Sequence, residues 1–356
     1  MKDTIGGKPH SGTSANTKKP TPEADMTDPV ELTEIRRGPF AESVHRGHAV
    51  ICDASGDIVE AWGDPETVVL PRSSAKMLQA LPLVESGAAD AHGLTPEHLA
   101  LACASHEGAA IHTDRVTAWL ADLGLSDDDF RCGAHMPKDT EARHGLIRAG
   151  HGPCQVHNNC SGKHAGFLTL ARHMGWGPEY VEPEHEVQKA CLQAFEEITG
   201  ETSPGFGIDG CSAPNFASSL HGMGRAMARF AAAEDGRGAR DSAAVRLWQA
   251  MVAHPELVAG QGRACTELMR ACTEPVALKT GAEAFFIAII PGRKLGVALK
   301  IVDGGTRAAE CTIAALLVRL GVLDADHPST RKFMNAPITN WRGIETGMIK
   351  PVDSLL

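Results

Sequence analysis

The sequence predicts an α/β (α+β) fold: one antiparallel sheet built from the N- and C-terminal segments, helices packed on it, and an inserted helical region. Three observations predict it. Apolar runs of strand length flank turn residues near the N-terminus, in HAVICDASGDIVEAWGD, and again near the C-terminus, in LKTGAEAFFIAII and KLGVALKIVDG. Between these ends the apolar residues recur at helical spacing. The chain has 356 residues, 43% of them hydrophobic, which is enough to bury a large core. When strands from both chain ends share a sheet, the middle becomes an insertion.

Residues 1 to about 28 are rich in Gly, Pro, Ser, Thr and Lys and read as a disordered tail. A single domain is expected over 29–356, with its sheet-bearing part at about 30–72 and 276–356 and its helical part at about 73–275. Order begins near Val30. The turn residues 53–57 make a first β-hairpin, and 67–70 is a third extended piece. A helix follows from Ser73 to about Glu85 and stops at Gly87. Thr95 is an N-cap with Pro96 at the first helical position, opening a short helix that ends in CASHEG. Helices are expected at about 112–123, 141–148, 164–173 and 184–198. The last of these puts Val187, Cys191, Phe195 and Ile198 on one face. After the Gly-rich GFGIDGCSAP come helices at 215–233 and 241–253, and Gly260-Gln261-Gly262-Arg263 opens another through Met269. Pro291-Gly292 turns a second hairpin, and an amphipathic helix spans about 307–320.

Lys+Arg is 34 and Asp+Glu 44, a net charge of −10, which argues against nucleic-acid binding. No apolar stretch is long enough to span a bilayer, so no membrane partner is expected. The N-terminus lacks the apolar core of a secretory signal, so a cytoplasmic location is expected. Ten cysteines in that setting read as reduced thiols or metal ligands.

Ser73 and Lys76 lie three apart, which puts them on one face of a first helical turn. Serine needs an adjacent base to act as a nucleophile, and a lysine of lowered pKa can be that base. An N-cap serine beside a solvated lysine is the plainer reading. Lys279-Thr280-Gly281 favours the first. S-x-x-K followed far downstream by K-T-G is the order of serine β-lactamases and penicillin-binding proteins. Ser105 stands between, where that fold places its second serine, although Ser105-His106-Glu107 replaces S-D-N. The one tyrosine, Tyr180, lies in an acidic loop and is a poor candidate base.

A second constellation joins HNNCSGKH (157–164) to GIDGCSAP (207–214). Thiolates suit zinc. By spacing, Cys154, His157, Cys160 and His164 could form a local metal knot, or Cys160 and Cys211 could converge from two loops. Small buried residues without a metal are the alternative. Cys103, Cys132, Cys191, Cys265, Cys272 and Cys311 read as packing. His45, His106, His135 and His164 read as hydrogen-bonded loop residues. Arg72 and Arg263 flank Pro or Gly turns and are candidates to fork onto a substrate carboxylate.

Taken together, RSSAK, CASHEG, CGAH, HNNCSGKHAGF, IDGCSAP, GRACTELM and KTGAE resemble the L-asparaginase II family, the rhizobial-type class 3 asparaginases. The resemblance covers seven ordered blocks. It implies a serine β-lactamase/glutaminase-like fold and hydrolysis of L-asparagine to L-aspartate and ammonia. It implies two catalytic pairs, Ser73–Lys76 and Ser105–Lys279. It also implies a zinc held by Cys160, Lys163 and Cys211 with Asp209 close by, and a homodimer. A lysine ligand must be neutral, which requires a strongly lowered pKa. This set displaces the local four-residue knot. Arg72 or Arg263, with Glu283 or Asp209, would hold the substrate's α-carboxylate and α-amine. Ile208 and Ala284 depart from the family's usual residues. The competing expectations are a metal-hydroxide amidohydrolase and a non-catalytic β-lactamase-like binding module.

Overall fold

The structure, a computed structural model, describes residues 28–356. The expected tail, apart from its last residue, lies outside the described residues. Near the N-terminus run β1 (Val30–Arg37), β2 (Phe40–Cys52), β3 (Ile58–Trp62) and the short β4 (Val68–Val69). The helical region carries three further short strands: β5 (Phe206–Ile208), β6 (Pro214–Phe216) and β7 (Ser218–Ser219). The C-terminal part supplies β8 (Ala277–Thr280), β9 (Phe285–Ile290), β10 (Leu295–Ile301), β11 (Ala336–Thr339) and β12 (Glu345–Pro351).

The main sheet has the order β11-β12-β1-β2-β10-β9-β8, with β3 also on β2. Every pair in it is antiparallel. The two chain ends meet at its centre, where Cys52 lies opposite Gly296 and Gly47 opposite Ile301. This is the expected architecture. The first hairpin forms because Asp53 Oδ1 accepts hydrogen bonds from Ser55 N and Asp57 N, a local turn that needs no tertiary help. All six residues of β9, FFIAII, are buried, so the strand is covered on both faces. Each large side chain there contributes about 1.5–3 kcal/mol by leaving water.

The Leu220–Ala232 helix packs on β10, β2 and β9, and the Thr306–Arg319 helix packs on β12, β1, β9 and β10. Gly296 permits the first contact. A Cβ there would lie 2.1 Å from Ala228 N and 2.4 Å from Gly224 O, both backbone atoms that cannot yield. Buried apolar residues of sheet and helical region form one contiguous cluster.

The helices at Pro96–Ala102, Ala110–Asp122, Thr140–Ala149, Ser161–Met174, Glu186–Thr199 and Ala239–Ala253 lie within three residues of their expected places. Three differences have physical causes. The stretch expected as one helix from Ser73 is a 3-10 turn, Arg72–Ala75, followed by Lys76–Gln79 and Leu81–Glu85. Pro82 has no N–H for a continuous helix and sits instead in the first turn of the last piece. The helix expected from 215 starts at Leu220, because Ser219 Oγ accepts from Gly222 N as an N-cap and the residues before it pair as strands. The apolar run 277–290 is broken by Glu283 and Ala284, at φ 56° and 57°, which turn the chain between β8 and β9. No helix of the described residues is long and apolar enough to cross a membrane.

Candidate active site

Ser73 sits in the 3-10 turn that follows β4. The residue before it, Arg72, has φ 51°, a left-handed conformation that side chains other than glycine rarely adopt. Asn215 holds it there. Its Oδ1 accepts from Arg72 N at 3.1 Å and its Nδ2 donates to Arg72 O at 3.3 Å. Backbone strain of this kind persists only where surrounding contacts enforce it. The Arg72 guanidinium is also anchored, donating to Asp209 Oδ1 at 2.8 Å.

Opposite this turn lies β8 with Lys279-Thr280-Gly281. Ser74 Oγ donates to Lys279 O at 2.9 Å and so ties the strand to the turn. Gly281 lets the two approach: a Cβ would lie 2.6 Å from Pro71 O and 3.0 Å from Ser74 Oγ. Gly281→Ala is therefore expected to push Lys279 away from the serines. Displacement on the order of 1 Å costs about 100-fold in rate. Steady-state kinetics beside a thermal melt checks this, and an unchanged kcat would contradict it.

Ser105 follows the Pro96–Ala102 helix and joins the two lysines. Lys279 Nζ donates to Ser105 Oγ at 2.8 Å and to Thr280 O at 2.7 Å. Lys76 Nζ donates to Ser105 Oγ at 3.1 Å and to Ala104 O. Both lysines are fully buried. Burial, and then the neighbouring Lys76, bring Lys279 down to about 7. The expected pair Ser105–Lys279 is thus in contact. Ser73 and Lys76 are close in sequence, but Lys76 points its Nζ at Ser105, and Ser73 Oγ forms no hydrogen bond within the described residues.

Ser73 and Ser105 line one cavity of about 180 Å³, together with His106, Arg263, Thr280 and Ala282. Within the described residues, neither the Ser73 N–H nor the Ala282 N–H has an acceptor, whereas Ser105 N donates to Val258 O at 2.8 Å. Of the four residues expected to bind substrate, Arg263 lines this cavity. Arg72 and Glu283 line a neighbouring cleft of about 610 Å³ with Val68 and Leu70, and Asp209 is engaged by Arg72.

Two neighbours of Ser105 complete its surroundings: His106, expected as a hydrogen-bonded loop residue, and Glu107, to which the sequence assigned no role. His106 is buried, stacks on His112 with centroids 4.8 Å apart, and shares a 2.9 Å hydrogen bond with Ser161 Oγ. Burial, then His112, hold its pKa well below the ordinary histidine value. Glu107 receives Arg263 Nη1 at 3.3 Å. Both residues lie inside the CASHEG block, so the block was visible while the part of Glu107 was not.

The thiols gather nearby. Cys160 caps the Ser161–Met174 helix and Lys163 sits one turn on. Asp209 and Cys211 come from the turn between β5 and β6. The Cys160 and Cys211 sulfurs and an Asp209 oxygen all lie within 4.8 Å of one another. Lys163 Nζ donates to Cys211 Sγ at 3.1 Å. Cys211 is held well below the ordinary thiol value by the Cys160 hydrogen bond, against its burial. Asp209 is held low as well: burial opposes its charge, but Lys163 and Arg72 outweigh it. Lys163 is raised: burial opposes its charge, but Cys211, Cys160 and Asp209 favour it. The local knot does not form. Cys154 Sγ contacts His157 Nδ1 at 3.1 Å, and His164 Nδ1 contacts the Tyr180 hydroxyl at 2.9 Å, so these side chains have partners of their own. All ten cysteines are free thiols.

Comparison with known proteins gives the family. The L-asparaginase II family model matches residues 33–351, and the chain belongs to that family. No curated protein sequence matches it. Similar solved structures include Mglu in its tris and glutamate form, at 14% identity and TM-score 0.44, covering 84% of this chain and 65% of that one. The present chain therefore spans about two thirds of the length of Mglu. A β-lactamase from Mycobacterium bovis is similar at 12% identity and TM-score 0.35, covering 77% of this chain and 94% of that one. A penicillin-binding protein homolog from Caulobacter crescentus is similar at 12% identity and TM-score 0.37, with 77% and 92% covered.

Proposed function

We propose that the protein hydrolyses L-asparagine to L-aspartate and ammonia by serine attack, with lysines moving the protons. The supporting observation is the Ser105 hydroxyl joined to two fully buried lysines, beside the unengaged Ser73 hydroxyl in one small cavity. In this reading Ser73 Oγ bonds to the side-chain amide carbon and its proton passes to Lys76. Ser105 and Lys279 return a proton to the amide nitrogen as the C–N bond breaks and ammonia leaves. Water then cleaves the Ser73 ester, yielding L-aspartate and the free hydroxyl. The Ser73 and Ala282 N–H groups would take up the charge on the carbonyl oxygen, and one such donor is worth about 3 kcal/mol. Ser105 as the nucleophile is the second reading, favoured by its own hydrogen bonds to both lysines.

The donor set at Cys160, Lys163 and Cys211, with Asp209 beside it, fits a zinc ion in its sulfur chemistry. In holding zinc, Lys163 would give up the proton that its neighbours now favour. A bound zinc would supply a fixed positive charge and tie the β5–β6 turn to the helix at Cys160. The family resemblance adds a homodimer to the proposal.

An ammonia-release assay tests it, with L-asparagine and L-glutamine compared and zinc measured on the same sample. Ammonia from L-asparagine, an ester-sized mass increment on the chain and about one zinc per chain are expected. Release of ammonia from neither amide would remove the proposed reaction. If chelation stopped turnover that Ser73→Ala and Ser105→Ala both left intact, a metal-bound hydroxide would replace serine attack.

A further inference from the structure

The cavity's charges are lopsided. Arg263 and Lys138 line its wall, and the Lys76 and Lys279 amines lie behind Ser105, which also lines it. These cations suit the carboxylate of an amino-acid amide but repel its α-ammonium. Such a substrate is bound well only if an anion is set among the cations.

One carboxylate lies beside the cavity's lining, paired to Arg263. Glu107 follows Ser105 and His106 in the chain and receives Arg263 Nη1 on its Oε1 at 3.3 Å. Its main-chain oxygen accepts from Lys138 N and Asp139 N, at 2.9 and 3.0 Å, which fixes the backbone that presents the side chain. Gly260, at φ 137°, makes the room: a Cβ there would lie 2.7 Å from Glu107 Oε2. The carboxylate is largely buried, its side chain 18% exposed, and Oε2 accepts no hydrogen bond within the described residues. Oε2 is not sealed away from solvent, so a donor on a ligand can reach it. The other carboxyls nearby do not serve. Burial pushes Glu310 upward, toward its neutral form. Asp209 is taken by Arg72, and Glu283 lines the neighbouring cleft.

We infer that Glu107 Oε2 receives the α-ammonium of the substrate while Arg263, braced by Glu107 Oε1, receives its α-carboxylate, so that this pair selects an α-amino acid amide over the same amide without the amino group. The inference rests on the proposed amide hydrolysis and adds the residue that sets its substrate class.

The test compares L-asparagine with succinamic acid, which lacks only the α-amino group. The ratio of their kcat/KM values is measured in the wild type, Glu107→Gln and Glu107→Asp. Wild type is expected to favour L-asparagine by about tenfold or more, the worth of a charge-assisted hydrogen bond. In E107Q the ratio falls toward one, and E107D restores part of it. A merely structural role would lower both rates together and leave the ratio in place, which overturns the inference, as does a wild type that does not distinguish the two amides. Calorimetry of the wild type with L-aspartate and with succinate separates this from the reaction itself. If neither amide is hydrolysed yet L-aspartate binds at least about tenfold tighter, the reaction has failed and the recognition stands; equal binding removes the recognition.

Discussion

Ser73→Ala is expected to lower kcat for L-asparagine by roughly four to six orders of magnitude, the loss seen when an enzyme's nucleophile is removed. Stability should hardly change. Ser73 Oγ has no hydrogen-bond partner within the described residues, so truncation strands no buried group. Ser105→Ala should behave differently. It removes a hydroxyl that accepts from both Lys76 and Lys279, so turnover should drop by about 100- to 10,000-fold, as for lost proton transfer, and the fold should lose about 1–3 kcal/mol. Chemical denaturation beside single-turnover kinetics separates the two. Near-normal turnover in Ser73→Ala would move the nucleophile to Ser105.

Lys279→Met should abolish activity and at the same time stabilise the protein at and below neutral pH. Burial and Lys76 bring the folded-state pKa of Lys279 to about 7, against 10.5 for an ordinary lysine. The unfolded chain therefore binds this proton more tightly than the folded one between those two values. Stability rises with pH across that window, and below about 7 the cost of burying the charge is present in full. Methionine of similar length removes the titration. The gain in Tm should thus be largest below pH 7 and shrink toward pH 10. The wild-type rate should fall as pH rises through about 7, since the protonated amine is the form that returns a proton to the leaving nitrogen. A Tm difference that does not vary with pH would show that Lys279 is not the group that titrates.

Most of the architecture was legible because its cues are local. The Asp53–Asp57 turn and the Thr95 cap write their hydrogen bonds into a few adjacent residues. Where a cue needed partners from afar, reading failed or stopped short. PNFASSL has an apolar pattern that suits a helix, and only pairing with Val68–Val69 and Phe206–Ile208 makes strands of it before Ser219 caps the true helix. The hairpin of β11 and β12 was not foreseen as separate strands, since its alternation is weak and Trp341 at its tip is fully exposed. The site divides in the same way. Spacing placed Ser73 and Lys76 on one turn but did not fix the rotamer that sends Lys76 to Ser105. The convergence of Cys160 and Cys211 was one of two readings the spacing allowed. Glu107 carries no motif of its own, and its part depends on Arg263, 156 residues away.

The sheet's seam has a consequence in time. β2 must wait for β10, which lies beyond the whole helical region, and Ser105 must wait for Lys279, 174 residues later in the chain. Such pairings have high contact order and close slowly. On a ribosome working at about 5–20 residues per second, the first hairpin spends tens of seconds without its neighbour. During that interval the edge of β2 is open to strands of other chains. Regained activity after refolding would therefore report the last event in assembly, the docking of the C-terminal strands, rather than the appearance of the helices.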